Sequence, residues 1–227
     1  MECRANAEYE AYRARGVMRD GRRFGGPSKP FEPPQVPAGT INVTDPDSRM
    51  LKAPRGFVQG YNAQVVTNEN QIVIAADVTV DSPDFGHLEP MVVAAESELA
   101  AAGVTETPGL AVADAGYWHQ VQMQNIVNRG TQVLVPPDSI KRKGARPGWA
   151  GGFYQHMRRV LQTDHGAELY RKRQAMIEPV FAQTKSNRRM GQFRRRGRSA
   201  VRTEWRLITA THNLLKLHKH QFAPAAP

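Results

Sequence analysis

Residues 71–80 read QIVIAADVTV, and almost every side chain in this run is apolar. Strands that are buried on both faces have this continuous apolar composition, whereas half-exposed strands alternate apolar and polar residues. A second strand-like stretch lies at residues 58–66, and the turn residues Asn68, Glu69 and Asn70 separate the two. The pair predicts an antiparallel hairpin.

Helical and strand patterns alternate downstream of this hairpin. Residues 84–103 carry apolar side chains at three- and four-residue spacing, which predicts a helix ended by Gly103. The remaining predicted elements, in chain order, are a strand at 110–113, a helix at 119–128, a strand at 132–135 and helices at 153–185 and 201–218. This order predicts an α/β fold, with a mixed sheet flanked by helices.

The first 39 residues differ in composition from the rest of the chain. Residues 1–20 predict the end of a charged helix, and residues 21–39 contain enough glycine and proline to predict a linker. We therefore expect a helical segment and linker over residues 1–39, a compact domain over 40–220 and a disordered tail over 221–227.

Charge is distributed unevenly along the 227 residues, whose formal net charge is +10. Residues 141–227 hold 20 lysines and arginines but four acids, whereas residues 1–140 hold 11 lysines and arginines and 17 acids. A basic half of this kind favours nucleic acid as a partner. The alternatives are a solvated charged face and an acidic membrane surface, and the basic run at 188–198 lacks the continuous apolar face that a membrane surface requires.

Several classes of protein are excluded by what the sequence lacks. No apolar stretch is long enough to span a membrane, and the first twenty residues contain no secretory signal. The single cysteine, Cys3, excludes a disulfide framework and a cysteine-rich zinc site. There is no phosphate-binding glycine loop and no nucleophile elbow around a serine. We expect a cytoplasmic protein with no membrane partner.

Two acidic residues are candidates for chemistry. Asp114 follows an apolar strand and precedes Ala115 and Gly116, so we expect it at a strand end, where α/β sheets bind ligands. The alternative is a capping role for the following helix.

Glu178 precedes Lys185 by seven residues, which places both on one face of an α-helix, although Pro179 interrupts helical bonding there. In this arrangement the carboxylate can bind a metal ion and the lysine can bind a phosphate group.

The chain resembles insertion-sequence transposases of the DDE superfamily, which have an RNase H-like fold. The resemblance runs from about residue 42 to residue 219. It is carried by five motifs in this order: NVTDPDSR at 42–49, GYNAQ at 60–64, ADAGY at 113–117, EPVF at 178–181 and HNLLK at 212–216.

This resemblance implies roles for particular residues. The second catalytic aspartate of the family falls on Asp114, and the family's tyrosine–arginine–glutamate–lysine motif falls on Tyr170, Arg173, Glu178 and Lys185. Four residues instead of three separate Arg173 from Glu178, so Arg173 departs from the pattern. The arginines expected to contact DNA phosphates, together with Tyr170 and Arg173, are Arg188, Arg189, Arg194, Arg195, Arg196 and Arg198.

The resemblance also implies a mechanism. Asp114 and Glu178 would bind Mg²⁺ or Mn²⁺, and two such ions about 3.5–4 Å apart would promote in-line phosphoryl transfer during DNA cleavage and strand transfer. The substrate would be double-stranded DNA, at the transposon ends and the target on the chromosome. The active assembly would contain several copies of the chain.

In the family, the first catalytic aspartate lies on the first strand of three, and only two strands are predicted here before the first long helix. We therefore expect the first strand to be missing and the chain to be catalytically incomplete. The aspartates that could substitute are Asp45, Asp47 and Asp77. Two hypotheses remain, namely a Mg²⁺-dependent transposase and a non-catalytic, DNA-binding remnant of one.

Overall fold

The computed structural model describes residues 7, 41–53, 56–81, 84–139, 142, 144–146, 149 and 151–222. The chain divides into two compact units, Met1–Ile41 and Asn42–Pro227. All strands and helices given below belong to the second unit. The helical segment and linker predicted over residues 1–39 lie outside the described residues, apart from Ala7, as does the predicted tail beyond Phe222.

The described part of this unit contains six strands and five α-helices. The strands are β1 (Arg49–Ala53), β2 (Gly56–Gly60), β3 (Asn62–Thr67), β4 (Val73–Thr79), β5 (Leu110–Val112) and β6 (Gln132–Leu134). The helices are α1 (Leu88–Ala101), α2 (Gln120–Asn128), α3 (Gly152–Gln162), α4 (Asp164–Ala182) and α5 (Arg198–Gln221). A short 3₁₀ helix, Ala115–Tyr117, precedes α2, and a π-helical turn, Gln183–Asn187, continues α4. Within these residues, no helix meets the length and hydropathy needed to cross a membrane.

The predicted hairpin is confirmed as the antiparallel pair β3–β4, in which Val65 lies opposite Ala76. The prediction of one strand over residues 58–66 is wrong, because the chain breaks at Tyr61 and the preceding part, β2, pairs with β1. The Tyr61 hydroxyl donates a hydrogen bond of 2.7 Å to the Asp45 carboxylate, which fixes this break. Four short strands, and not the two predicted, therefore precede α1.

The α/β class is confirmed, but the strands do not form one mixed sheet. The described strands form three two-stranded sheets: β1–β2 and β3–β4, both antiparallel, and β5–β6, which is parallel. No described strand pairs with the second edge of β3 or of β5, so the two larger parts of the expected sheet remain separate.

Two apolar clusters hold the helices against these sheets. In the first, Met123 and Ile126 of α2 are fully buried with Val135 and with Tyr154 of α3. In the second, Val78 of β4 packs with a set of buried residues from α4 and α5, namely Val180, Val201, Trp205 and Ile208. Farther along α5, Leu214 and Leu215 are exposed. Both helical layers are therefore fixed by burial of one face only.

Helix α4 continues through Pro179, where the sequence suggested a break. Proline has no N–H group, so the carbonyl of Ala175, four residues earlier, loses its helical partner. The side-chain amide of Gln71 donates to this carbonyl at 2.9 Å. Gln71 itself has a positive φ of 62°, and its side-chain oxygen accepts from Lys216 at 2.6 Å. The turn between β3 and β4 therefore stabilises the proline-containing part of α4.

A buried carboxylate fixes α3 to the end of β6. Asp138 is 5% exposed and accepts hydrogen bonds from Arg146 at 2.7 Å, Arg158 at 2.7 Å and Tyr154 at 2.6 Å. Burial alone would raise the pKa of Asp138, but these three donors and the charge of Arg146 outweigh it and hold the pKa below its usual value.

Candidate active site

Asp114 lies where the sequence places it, directly after β5. Its backbone is extended, and its carboxylate accepts a hydrogen bond of 2.8 Å from the N–H of Gly116. It therefore caps the 3₁₀ helix, whereas α2 is capped by the side chain of His119. The alternative that Asp114 caps the helix predicted at 119–128 is therefore wrong, because Asp114 caps the short helix that precedes it. The carboxylate nevertheless remains half-buried, and Asp114 lines a large cavity.

Asp84 supplies a second carboxylate beside Asp114, and the sequence patterns did not point to it. An added Cβ at Gly116 would lie 3.0 Å from Oδ1 of Asp114 and 3.5 Å from Oδ2 of Asp84. Burial raises the pKa of Tyr117, and the charges of Asp84 and Asp114 raise it further. The two acids therefore lie side by side.

The orientation of Asp84 is fixed by β3. Its Oδ1 accepts from the side-chain amides of Asn62 at 2.6 Å and Gln64 at 2.7 Å. The sequence suggested that Asp84 begins a helix, but α1 begins at Leu88 and Asp84 lies in the preceding turn. Both amide donors belong to the GYNAQ motif at 60–64, and this motif was the sequence feature that could have pointed to Asp84.

Tyr170 and Arg173 lie close together on α4. The Arg173 guanidinium carbon is 5.4 Å from the centre of the Tyr170 ring. Burial raises the pKa of Tyr170; the charge of Arg173 opposes this rise, and the charge of Asp114 adds to it. Nε of Arg173 is buried and has no hydrogen-bond partner among the described residues. The structure therefore brings both residues near Asp114, with one donor available.

Glu178 and Lys185 do not share a regular α-helical face. Lys185 lies in the π-helical turn, where each turn contains more residues than in an α-helix, so the expected two-turn spacing does not apply. Lys185 lines the same cavity as Asp114, and its Nζ is 5.2 Å from the centre of the Phe181 ring. Glu178 is exposed and is not among the residues that line this cavity. Its pairing with Asp114 remains a prediction.

The three possible substitutes for a missing aspartate have other partners. Asp45 accepts from Tyr61 and from the N–H of Gly197, and Asp47 accepts from the N–H of Arg198. Asp77 pairs with Arg202 at 2.6 Å. Asp45 and Asp47 therefore fix the start of α5.

The basic loop before α5 is fixed through its main chain, which leaves most of its side chains available. The Glu204 carboxylate accepts from the N–H groups of Arg194 and Arg195 at 2.9–3.1 Å. The side chains of Arg194, Arg195, Arg196 and Arg198 are exposed, and no acidic side chain pairs with them in the described part of the chain. Arg188 differs, because its guanidinium donates to Ile208 and Thr211 of α5. Arg189 is exposed and has a positive φ of 53°.

The cavity itself has a volume of about 1490 Å³. Asp84 and Asp114 line it, as do six cationic residues from α4, the π-helical turn and the basic loop: Lys172, Arg173, Lys185, Arg194, Arg195 and Arg196. A cavity lined by both acids and cations can hold a phosphodiester, since cations bind the phosphate oxygens while the acids remain available to a metal ion.

Asp84 and Asp114 supply oxygen donors of the kind that a divalent metal ion binds. Mg²⁺ is usually held by one or two carboxylates, with water and phosphate completing its shell. Asp84 and Asp114 each have one oxygen, Oδ2, with no hydrogen-bond partner among the described residues. These residues fit one ion. No group of three or more His, Cys, Asp or Glu in the described ranges could hold a metal, so a two-ion arrangement lacks ligands there.

Residues 149–218 match a family model described as the transposase DDE domain. This segment contains Tyr170, Arg173, Glu178 and Lys185, whereas Asp114 lies outside it. No curated protein and no solved structure gives a significant match. The resemblance to DDE transposases is therefore confirmed over residues 149–218, which are similar to a portion of a transposase DDE domain.

Proposed function

We propose that this chain is the DNA-binding and metal-binding part of a transposase that cleaves phosphodiester bonds and transfers strands, with an RNase H-like arrangement of its elements. The observation that carries the proposal is the composition of the cavity, which is lined by Asp84 and Asp114 and also by Arg173 and the loop arginines. The match of residues 149–218 to a transposase domain supports it independently.

Each group has a role in the proposed reaction. Arg173, Lys185 and the loop arginines bind phosphate oxygens and orient the scissile bond, since positioning and charge stabilisation supply most of the catalysis in phosphoryl transfer. Asp114 and Asp84 would hold Mg²⁺ or Mn²⁺. Glu178, which does not line the cavity, remains a predicted further ligand. When bound, the ion would stabilise negative charge on the phosphate. Tyr170 holds the Arg173 guanidinium in place.

We propose further that the chain alone cleaves DNA poorly, because a two-ion site needs one more carboxylate than the described residues bring together. The test is cleavage of DNA carrying the element's terminal repeats by the 227-residue chain with Mn²⁺. We expect a rate several orders of magnitude below that of a complete enzyme. Efficient cleavage that is lost in Asp114→Asn would show that the third carboxylate lies within this chain.

DNA binding is tested by its salt dependence. With about five or six phosphate contacts, log K should fall with log salt at a slope of about −5. Reversing charge at Arg194, Arg195 and Arg196 should flatten the slope. The matched control reverses three exposed cations outside the loop, Lys52, Arg159 and Lys219. A slope near zero for the unmodified chain, or an equal effect of both triple variants, would contradict the assigned interface.

The second candidate function is a non-catalytic, DNA-binding remnant. The observation in its favour is that the described residues do not bring three acids together. The two functions are distinguished by Mn²⁺ binding at equilibrium. If the chain is a catalytic portion, it binds Mn²⁺ through Asp114, and Asp114→Asn abolishes Mn²⁺ binding. If the chain is a remnant, Asp114→Asn leaves its DNA binding unchanged.

The partners follow from the same proposal. Joining two transposon ends requires one active site for each end, so we propose that copies of the chain assemble on chromosomal DNA in the cytoplasm. Light scattering with and without terminal-repeat duplexes tests this. Assembly should depend on duplex DNA, and a strictly monomeric complex at saturating DNA would contradict it.

A further inference from the structure

We infer that Tyr117 is a positioning residue, because its hydroxyl orients the side-chain amide of Gln64 and this amide holds Asp84 in place. The inference rests on the proposed function, in which Asp84 and Asp114 are the metal ligands. Tyr117 would act on the ion through Gln64, without touching it.

Three side chains form a continuous series of hydrogen bonds at the site. The Tyr117 hydroxyl donates to Oε1 of Gln64, and Nε2 of Gln64 donates to Oδ1 of Asp84 at 2.7 Å. Gln64 is buried, with 3% of its surface exposed, so water has little access to its amide. A buried amide of this kind depends on its protein partners.

The charge of Asp84 decides the direction of both hydrogen bonds. An ionised carboxylate only accepts hydrogen bonds, so the amide nitrogen of Gln64, and not its oxygen, must face Asp84. The amide oxygen then faces Tyr117, whose hydroxyl is its one donor in the described part of the chain. Without that hydroxyl the buried oxygen has no partner, so Gln64 no longer has a single favoured position.

The two acids depend on this link because they are held by different sheets. Asp84 is held by side chains of β3, whereas Asp114 follows β5, and no described strand joins the β3–β4 and β5–β6 sheets. Tyr117 belongs to the 3₁₀ helix that Asp114 caps, and its N–H donates to the Asp114 carbonyl at 3.1 Å. The Tyr117 hydroxyl therefore connects the segment that carries Asp114 to the residue that holds Asp84.

The main chain of Gln64 is fixed independently of Tyr117. It lies opposite Asp77 in the β3–β4 pair, and its carbonyl accepts from the Trp205 indole at 2.9 Å. Removal of the Tyr117 hydroxyl should therefore release the amide and not the strand. An effect on the metal site can then be separated from an effect on the fold.

The experiment compares Tyr117→Phe, which removes only the hydroxyl, with Tyr154→Phe as the matched control. The Tyr154 hydroxyl also donates to a carboxylate, that of Asp138, which does not line the cavity. Mn²⁺ affinity of the full chain is measured at equilibrium from the EPR signal of the free ion. We expect Tyr117→Phe to weaken binding about tenfold, as loss of partners behind metal ligands does in other proteins, and Tyr154→Phe to leave it unchanged.

Two further measurements separate positioning from general destabilisation. Gln64→Met should weaken Mn²⁺ binding by about tenfold or more, and adding Tyr117→Phe to it should cost less than about twofold more, since the amide is already absent. Without metal, NMR should show two sharp N–H signals from the Gln64 side chain of the unmodified chain. These signals should broaden or disappear in Tyr117→Phe.

Three results would overturn the inference. They are equal losses of Mn²⁺ affinity in Tyr117→Phe and Tyr154→Phe, a full additional loss when Tyr117→Phe is added to Gln64→Met, and unchanged Gln64 amide signals in Tyr117→Phe. If the unmodified chain binds no Mn²⁺ while the amide signals still broaden in Tyr117→Phe, the proposed metal site fails and the orienting role of Tyr117 stands.

Discussion

Asp84 and Asp114 are 30 positions apart in the chain, yet their carboxylates flank the same backbone position, Gly116. An added Cβ at Gly116 would lie within 3.5 Å of an oxygen of each. Two carboxylates this close repel each other unless a cation lies between them.

The first prediction follows from this repulsion. Mg²⁺ or Mn²⁺ at about 100 times its Kd should stabilise the chain by about 2.7 kcal/mol, which raises Tm by at least about 5 °C. Asp84→Asn should reduce this rise, and Asp84→Asn with Asp114→Asn should abolish it. Thermal unfolding with and without metal measures the effect. Glu106→Gln, which removes an exposed acid elsewhere, is the control. An unchanged rise in the double variant would place the ion elsewhere.

The second prediction concerns Gly116→Ala. The new methyl group would lie 3.0 Å from Oδ1 of Asp114, so that carboxylate must move by a few tenths of an ångström. We expect less than about 1 kcal/mol of destabilisation but a clearly smaller metal-induced rise in Tm. Gly109→Ala is the control, because no atom lies within 4 Å of its added Cβ. Equal metal responses in the two variants would contradict the proposed geometry.

The third prediction concerns Asp138→Asn. This change leaves Arg146 and Arg158 without their carboxylate. Since the Arg146 side chain is 43% exposed, solvent screens part of its charge, and we expect a loss of about 2 kcal/mol at pH 7, below the cost of breaking a fully buried pair. Urea unfolding measures it. Tyr154→Phe should cost about 1 kcal/mol.

The same carboxylate gives a pH dependence with a defined sign. The pKa of Asp138 is lower in the folded chain than in the unfolded chain. Its stabilisation is therefore complete above the unfolded pKa, about 3.9, and is lost as pH falls through the lower folded pKa. The difference in unfolding free energy between Asp138→Asn and the unmodified chain should shrink below about pH 4. A difference that grows on acidification would contradict the shift.

The fourth prediction concerns Gln71 and Pro179, which act on the same carbonyl. Gln71→Ala should cost about 1 kcal/mol, because the Ala175 carbonyl loses its donor. Pro179→Ala restores an N–H group that can bond to this carbonyl. It should therefore stabilise the Gln71→Ala chain more than the unmodified chain, by about 0.5 kcal/mol or more in a double-mutant cycle. Strict additivity would show that the two residues are independent.

Local patterns in the sequence were sufficient for several elements. The apolar run at 71–80 predicted β4, because a strand that is buried on both faces is continuously apolar. Helical spacing predicted α1, because a helix that is buried on one face has apolar residues every three or four positions. Asp114 was predicted at a strand end for the same local reason. The strand pair β1–β2 was missed because its residues are mostly exposed, and so carry no apolar pattern.

The tertiary structure decided which polar groups lie together. Asp84 lies beside Asp114, and Gln71 supplies the donor that Pro179 removes from α4, yet in both cases the partners are distant in sequence. Hydrogen bonds and charge pairs between distant segments have no period, so no local pattern records them. The separation of the β3–β4 and β5–β6 sheets has the same origin. Strand pairing is a property of two edges in space, whereas the sequence of each strand determines only that an edge exists.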